Sequence, residues 1–239
     1  MAVSKLKKIK EYLLDLIFPI ECLGCQKDNF YLCPECLKTI RLVDYFTCPN
    51  CRRPSQNGST CPSCRRRTSL AGLIYAFDYD QPLFRKAWLT VKYQLITDLI
   101  YPLTEKLIVL LEQSNFLNNY YPDLIIPIPL HRRKLAKRGF NQSEIIAQIL
   151  GQKFNWPLIT KVLKRIKFTR SQTDLPKQAR WLNVEKAFMV AEPEKIKNKN
   201  IILVDDVCTT GATLESAAKI LKQGGAKSVW AITLARGKN

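Results

Sequence analysis

Histidine is almost missing from this chain: His131 is the only one in 239 residues. A lone histidine is more often structural than catalytic, so a paired-histidine centre is excluded. Acidic residues are scarce as well, with 20 Asp+Glu against 38 Lys+Arg and a net charge of +18. An excess of that size favours polyanionic partners: nucleic acid, a polyphosphate ligand or an anionic membrane surface. No apolar run approaches the length of a membrane span. Met1 to Pro19 carries lysines, but its apolar stretch is short and holds Asp15, so no secretory signal is expected. The phosphate-binding pattern Gly-x-x-x-x-Gly-Lys-Ser/Thr is absent too, which removes the nucleotide-hydrolase reading of any strand that ends in acidic residues.

What is present is a chain long enough for one medium domain and a small one. Its hydrophobic content of 46% is enough for a real core. Eight of the nine cysteines fall into four C-x-x-C pairs: Cys22/Cys25, Cys33/Cys36, Cys48/Cys51 and Cys61/Cys64. Each pair is a tight turn that aims two thiolates at one point, and two such turns supply the four soft ligands of a tetrahedral zinc ion. Two structural Zn²⁺ sites are therefore expected. Sequential pairing is the simplest, and interleaved pairing satisfies the spacing equally. Four pairs in under fifty residues argue against a redox role, and the expected compartment is a reducing cytoplasm. Arg52-Arg53 and Arg65-Arg66-Arg67 flank the second pair of turns, with Tyr45 and Phe46 nearby. They read either as a nucleic-acid contact with stacking groups or as a solvated rim.

Lys5 to Phe18 has helical spacing with lysines crowded at its start. After Arg67 the composition changes, and Thr68 to Gly72 reads as a linker. Strands are expected over Leu73–Tyr79, Asp123–Leu130, Ile159–Ile166, Phe188–Val190 and Ser228–Ala235. Helices are expected over Pro82–Gln94, Thr97–Glu112, from Asn141 to about Lys153, and over Lys177–Glu185. Asn141 with Glu144 three residues on has the form of a capping box. The stretch from Phe168 to Pro176 lacks periodicity and reads as a mobile loop.

One stretch organises the rest. Ile201 to Val204 is a run of β-favouring apolar residues, expected to be a buried strand, and Asp205 and Asp206 stand at its end. Val207-Cys208-Thr209-Thr210-Gly211-Ala212-Thr213 follows, and then a helical pattern from Leu214 to Leu221, stopped by Gly224-Gly225. Ligands of parallel α/β sheets bind outside the carboxyl ends of the strands, where a helix N-terminus presents free N–H groups to a phosphate. Three threonine hydroxyls add donors, and Gly211 lets the backbone approach closely. Paired carboxylates beside such a cradle suit a ribose diol or a Mg²⁺ ion. Pro127-Ile128-Pro129-Leu130-His131-Arg132-Arg133, a Pro-rich turn followed by clustered cations, suits pyrophosphate.

The order apolar strand, Asp-Asp, Thr-Thr-Gly, x, Thr resembles the phosphoribosyl pyrophosphate (PRPP) loop of type I phosphoribosyltransferases. Together with Pro127–Arg133, Arg138-Gly139-Phe140-Asn141-Gln142, Thr173 through Arg180 and Asn183 to Phe188, and the cysteine pairs, the whole chain is similar to the ComF family. The resemblance implies an α/β protein: a type I phosphoribosyltransferase fold, a parallel sheet flanked by helices, with a small N-terminal zinc-binding module of the four-cysteine type. Residues 1–68 would be the helix and zinc module, and 69–239 the phosphoribosyltransferase-like domain.

It also implies site roles. Asp205 and Asp206 would hold the ribose hydroxyls of PRPP with Mg²⁺ nearby, and Val207 to Thr213 would form the loop around the 5-phosphate. Leu130, His131 and Arg132 would line the pyrophosphate loop. Arg170 would belong to the catalytic set, on a flexible loop reaching to Asn183. Lys92 matches a family position without an evident role, and Cys208 reads as packing. The implied activity is pentosyl transfer to an unknown acceptor in DNA uptake, with PRPP, single-stranded DNA and DNA-uptake proteins as partners. The alternatives are a non-catalytic PRPP-sensing nucleic-acid adapter and base salvage. No segment reads as a base-recognition hood.

Overall fold

The structure, a computed structural model, describes residues 20–168 and 186–237. The helix expected over Lys5–Phe18 and the segment from Arg170 to Glu185 lie outside the described residues.

A four-stranded parallel sheet forms the centre. Its strands are β1 (Gly72–Asp78), β2 (Leu124–Pro127), β5 (Asn200–Cys208) and β6 (Ser228–Arg236), in the order β1-β6-β5-β2. A separate antiparallel pair joins β3 (Leu163–Arg165) to β4 (Phe188–Val190). The helices are α1 (Pro34–Thr39), α2 (Pro82–Tyr93), α3 (Ile100–Gln113), α4 (Phe116–Asn119), α5 (Arg132–Arg138), α6 (Gln142–Phe154) and α7 (Ala212–Gln223).

The period-two alternation of β-strands sorts the core into two layers. Ile202 and Val204 of β5, with Ile232 and Leu234 of β6, face Phe84 and Trp88 of α2, Leu103 and Leu107 of α3, and Ile146 and Leu150 of α6. Ile201 and Leu203, with Val229 and Ala231, face Leu214, Ala217 and Leu221 of α7 and Phe188 of β4. Covering both faces with helices is what a parallel sheet requires, and it explains why the strands read as unbroken apolar runs. Gly72 pairs with Trp230 across the β1–β6 register, and a Cβ there would lie 2.1 Å from the indole, so no side chain fits.

Several expectations change in detail. Strand β2 ends at Pro127, short of the expected Leu130, although the Ile128 amide still donates to the Val204 carbonyl at 2.8 Å. Thr97 to Leu99 forms a 3₁₀ turn ahead of α3. The capping box at Asn141 does not form. Its side chain donates instead to the Ile128 carbonyl at 3.1 Å, joining α6 to the end of β2. Helix α5 is not among the expected elements, because a run of cations shows no apolar period. Its ends are nonetheless marked: His131 Nδ1 accepts from the Arg133 amide at 3.3 Å, and Gly139 closes the helix with φ of 81°.

Candidate functional site

Strand β5 runs four residues beyond the apolar stretch. Asp205 pairs with Thr233, Val207 with Ala235 and Cys208 with Arg236. The two aspartates thus sit inside the hydrogen-bonded ladder, not after it, and the sheet holds their backbones rigid. Only Thr209, Thr210 and Gly211 remain as the turn. Gly211 takes φ of 80°, a left-handed value that glycine adopts without steric cost, and α7 begins at the next residue. Thr210 Oγ1 accepts from the Ala212 amide at 3.4 Å, leaving the first-turn amides of α7 at the carboxyl edge of the sheet.

A cleft opens there. Asp205, Asp206, Val207, Thr209 and Thr213 form one wall. Leu130, Lys134 and Arg138 form another, with Lys92 and Tyr93 from α2, Gln142 and Ser143 from α6, and Arg165 from β3. Cations from several different segments therefore face the diacid and the turn.

The two carboxylates differ. Asp206 is surrounded by donors: Lys92 Nζ at 2.6 Å, Trp88 Nε1 at 3.1 Å and Gln142 Nε2 at 3.4 Å on Oδ2, and the Val207 amide at 2.6 Å on Oδ1. Burial opposes its ionisation, but the Lys92 charge and these hydrogen bonds win and hold it below the ordinary carboxylate range. Asp205 has fewer partners, the Ser143 hydroxyl at 3.0 Å and the Asp206 amide at 2.9 Å. Burial and the adjacent Asp206 charge push it up to about 7. The side chain of Asp206 is still 13% exposed and opens onto the cleft.

Lys92 thereby acquires the role its sequence position withheld: it is the counter-ion of Asp206. Trp88, Gln142, Ser143, Lys134, Arg138 and Arg165 are not singled out for the site by the sequence. Arg138 and Gln142 belong to the stretch that carries the family resemblance but have no site role there, the others belong to no motif, and only the meeting of α2, α5, α6 and β3 brings them together. His131 and Arg132 stand at the start of α5 beside the cleft, where the imidazole caps the helix. Burial and the neighbouring Arg132 and Arg133 lower the His131 pKa, so it caps as the neutral base. Cys208 is buried, and burial raises its thiol pKa, in keeping with a packing role.

The cysteines resolve into two clusters in sequential pairing, Cys22/Cys25/Cys33/Cys36 and Cys48/Cys51/Cys61/Cys64. Within each, all four sulfurs lie within 4.8 Å of one another. Tetrahedral zinc with Zn–S of about 2.3 Å needs sulfurs about 3.8 Å apart, so the donors fit. Backbone amides reinforce the first cluster, with Cys33 N–H donating to Cys22 Sγ at 3.3 Å and Cys36 N–H to Cys33 Sγ at 3.4 Å. Around the second cluster, Arg53, Arg65, Arg66 and Arg67 are all exposed, Arg67 on the side that faces the turn. Arg52 is not one of that set: its guanidinium turns inward to backbone carbonyls. Phe46 is half-buried, edge-on to Tyr75 at 6.2 Å, and only Tyr45 of the expected stacking pair stands out into solvent.

Among the described residues, no helix is long and apolar enough to cross a membrane.

Comparison with known proteins agrees with this architecture. The family model of the phosphoribosyl transferase domain matches residues 104–239, and that of the double zinc ribbon domain matches residues 13–68. Competence protein F of Haemophilus influenzae is 34% identical over 48% of this chain and 51% of its own length. Competence protein ComFC of Bacillus subtilis is 35% identical over 52% of this chain and 50% of its own. DNA utilization protein YhgH of Escherichia coli is 27% identical over 86% of this chain and 90% of its own. The chain spans about half the length of the first two relatives and most of the third. It belongs to the phosphoribosyl transferase domain family and, with a double zinc ribbon ahead of that domain, to the ComF family.

Proposed function

We propose that the cleft binds PRPP with Mg²⁺, and that the chain is a phosphoribosyltransferase serving the uptake or use of DNA in the cytoplasm. The observation that carries this reading is the meeting of a diacid, the two ends of the turn at Thr209 and Thr213, and a cationic wall in one cleft. Asp206, kept ionised by Lys92, is built to accept from a ribose hydroxyl, and Asp205 lies beside it for the second. The backbone from Val207 through Cys208, Thr209, Thr210, Gly211 and Ala212 to Thr213, with the first turn of α7, suits the 5-phosphate. Leu130, His131 and Arg132, continued by Lys134 and Arg138, suit the pyrophosphate.

In such a reaction the bond from C1 of the sugar to a pyrophosphate oxygen breaks and one to the acceptor forms. Negative charge grows on the leaving pyrophosphate, where the cations of α5 and Arg165 stabilise it electrostatically. Bound Mg²⁺ would supply further positive charge to the same oxygens. Asp205 and Asp206 orient the sugar and tolerate its developing positive charge. Calorimetry with Mg-PRPP tests the binding step: heat from the wild type and none from the Asp205→Ala, Asp206→Ala protein is expected. Equal heats from the two would refute the assignment. Pyrophosphate release measured against bases, amines and single-stranded DNA identifies the acceptor class.

A second reading has its own observation. Arg53, Arg65, Arg66 and Arg67 on the second ribbon are all exposed, in a chain of net charge +18. Such a set suits single-stranded DNA, with the cleft sensing PRPP instead of turning it over. DNA affinity that falls steeply with salt, and a shallower slope after Arg65→Ala, Arg66→Ala, Arg67→Ala, is the expected outcome. Binding with no pyrophosphate release in any acceptor mixture would favour the adapter.

A further inference from the structure

The second zinc ribbon and the phosphate turn are far apart in sequence and bonded in space. Arg52 follows the ligand Cys51 and adopts φ of 63°, a left-handed turn that swings its side chain off the ribbon. Its Nη2 donates to the Thr209 carbonyl at 2.6 Å and its Nη1 to the Gly237 carbonyl at 2.8 Å. Arg236, at the end of β6, returns the contact. It is 5% exposed and donates to the Thr47 hydroxyl at 2.6 Å and to the carbonyls of Cys48 at 3.2 Å and Pro49 at 2.8 Å. Past the turn, Glu215 in the first turn of α7 accepts from the Ser69 amide at 2.7 Å and from the Thr68 hydroxyl. The ribbon and the segment leaving it thus grip the turn before and after its glycine.

The direction of the first grip matters. In a trans peptide the C=O of one residue and the N–H of the next point in opposite directions. Arg52 takes the Thr209 carbonyl on the ribbon side, so the Thr210 amide is turned away from the ribbon. A charged donor holding a carbonyl is a strong hydrogen bond and fixes the peptide plane. The grip on Glu215 acts in the same sense. A carboxylate in the first turn of a helix competes with an incoming phosphate for the same positive end. Here Thr68 and Ser69 satisfy it and hold it toward the ribbon. Glycine at 211 would otherwise leave the turn free to sample many backbone states.

We infer that the second zinc ribbon is a clasp that pre-shapes the phosphate turn: Arg52 is a positioning residue for the 5-phosphate, acting through the Thr209 peptide, and the Cys48/Cys51/Cys61/Cys64 zinc site anchors it. The ligand side of this inference rests on the proposed PRPP reading, while the clasp itself does not. A conformationally fixed turn spends less binding energy on its own ordering, so loss of the clasp weakens any ligand that uses the turn. Ligands held only by the α5 side are unaffected.

Hydrogen exchange on the full-length zinc-loaded protein, without ligand, reads the clasp directly. Arg52→Ala is expected to speed exchange of the 209–214 amides at least tenfold, with 124–154 unchanged and zinc content unaltered. Arg52→Lys, which restores one of the two donors, recovers part of the protection. Calorimetry then reads the consequence. Arg52→Ala weakens ribose 5-phosphate about tenfold and leaves magnesium pyrophosphate unchanged. Glu215→Gln, which keeps the fold of the ribbon, weakens ribose 5-phosphate about threefold. Unchanged exchange at 209–214 in Arg52→Ala overturns the clasp. Faster exchange with ribose 5-phosphate and pyrophosphate weakened equally overturns Arg52 as a positioning residue. A wild type that binds no ribose 5-phosphate overturns the PRPP reading and the ligand half of this inference together, with the exchange result still deciding the clasp.

Discussion

The two zinc clusters have the same four-cysteine spelling and opposite neighbourhoods. The first ribbon lies against α2 and α3. Lys86 Nζ donates to the Leu23 carbonyl at 2.7 Å, and Lys106 Nζ donates to the carbonyls of Leu37, at 3.0 Å, and Ile40. None of those groups lines the cleft. The second ribbon lies against the carboxyl edge of the sheet, and its Arg52 and the following Thr68 reach the turn at the cleft's wall and the helix behind it. Both seams use the same chemistry, a cation donated to backbone carbonyls. They differ in what the held backbone does next: one braces a packed scaffold, the other borders the cleft. A motif therefore says that zinc binds, and the seam says what the zinc is for.

The sharpest way to break this comparison is to remove each zinc in turn. Cys33→Ser with Cys36→Ser and Cys61→Ser with Cys64→Ser should each lower metal content from about two zinc per chain to about one. The second pair should also weaken Mg-PRPP at least tenfold by calorimetry. The first pair should lower the melting temperature and leave affinity within twofold. Matching affinity losses would erase the distinction between the ribbons.

A smaller effect separates the two seams themselves. Arg236→Met strands the carbonyls of Cys48 and Pro49 inside the protein and should cost about 2–4 kcal/mol in denaturant unfolding. Lys106→Met strands the Leu37 and Ile40 carbonyls at a more accessible place and should cost about 1 kcal/mol. Lys92→Met is the reference from the cleft. It leaves Asp206 without its cation and should cost about 2–3 kcal/mol while abolishing sugar binding.

The smallest effect opposes cleft and ribbons in pH. Asp205 titrates at about 7 in the fold against about 4 in an unfolded chain, so the fold favours its neutral form. That contribution is complete below about pH 4 and is lost as pH rises through about 7. Discounted for partial exposure, it is on the order of 1–2 kcal/mol. The ribbons run the other way, since thiolates release zinc as they are protonated. Asp205→Asn should flatten the stability loss between about pH 4 and 7 and leave the zinc loss at the acid end untouched. A wild type and variant with parallel melting curves across that range would remove the Asp205 contribution.

Much of this was legible beforehand because it is local. The C-x-x-C turns, the apolar strand of Ile201 to Val204, the Gly211 turn and the helix behind it are each specified within a dozen or so residues. The helix boundaries at Pro82 and Gly139 carry ordinary start and stop signals, although α5 goes unread for want of an apolar face. What stayed hidden are pairings between distant segments. Nothing near Lys92 announces Asp206, nothing near Arg52 announces Thr209, and Arg165 and Ser143 have no motif. Asn141 shows the same limit from the other side: its local preference for capping gave way to a carbonyl at the end of β2.

The amino-acid sequence by itself determined that this chain carries two tetrathiolate sites, a parallel α/β core and an acidic-then-glycine turn of the phosphoribosyl type. Those depend on short-range spacing and backbone preference, which survive in any context. Only the tertiary structure decided which cations face the diacid, which carboxylate is ionised and which ribbon holds the turn. Those are sums over partners brought together by packing from opposite ends of the chain, and electrostatics in a partly buried cleft depends on every one of them.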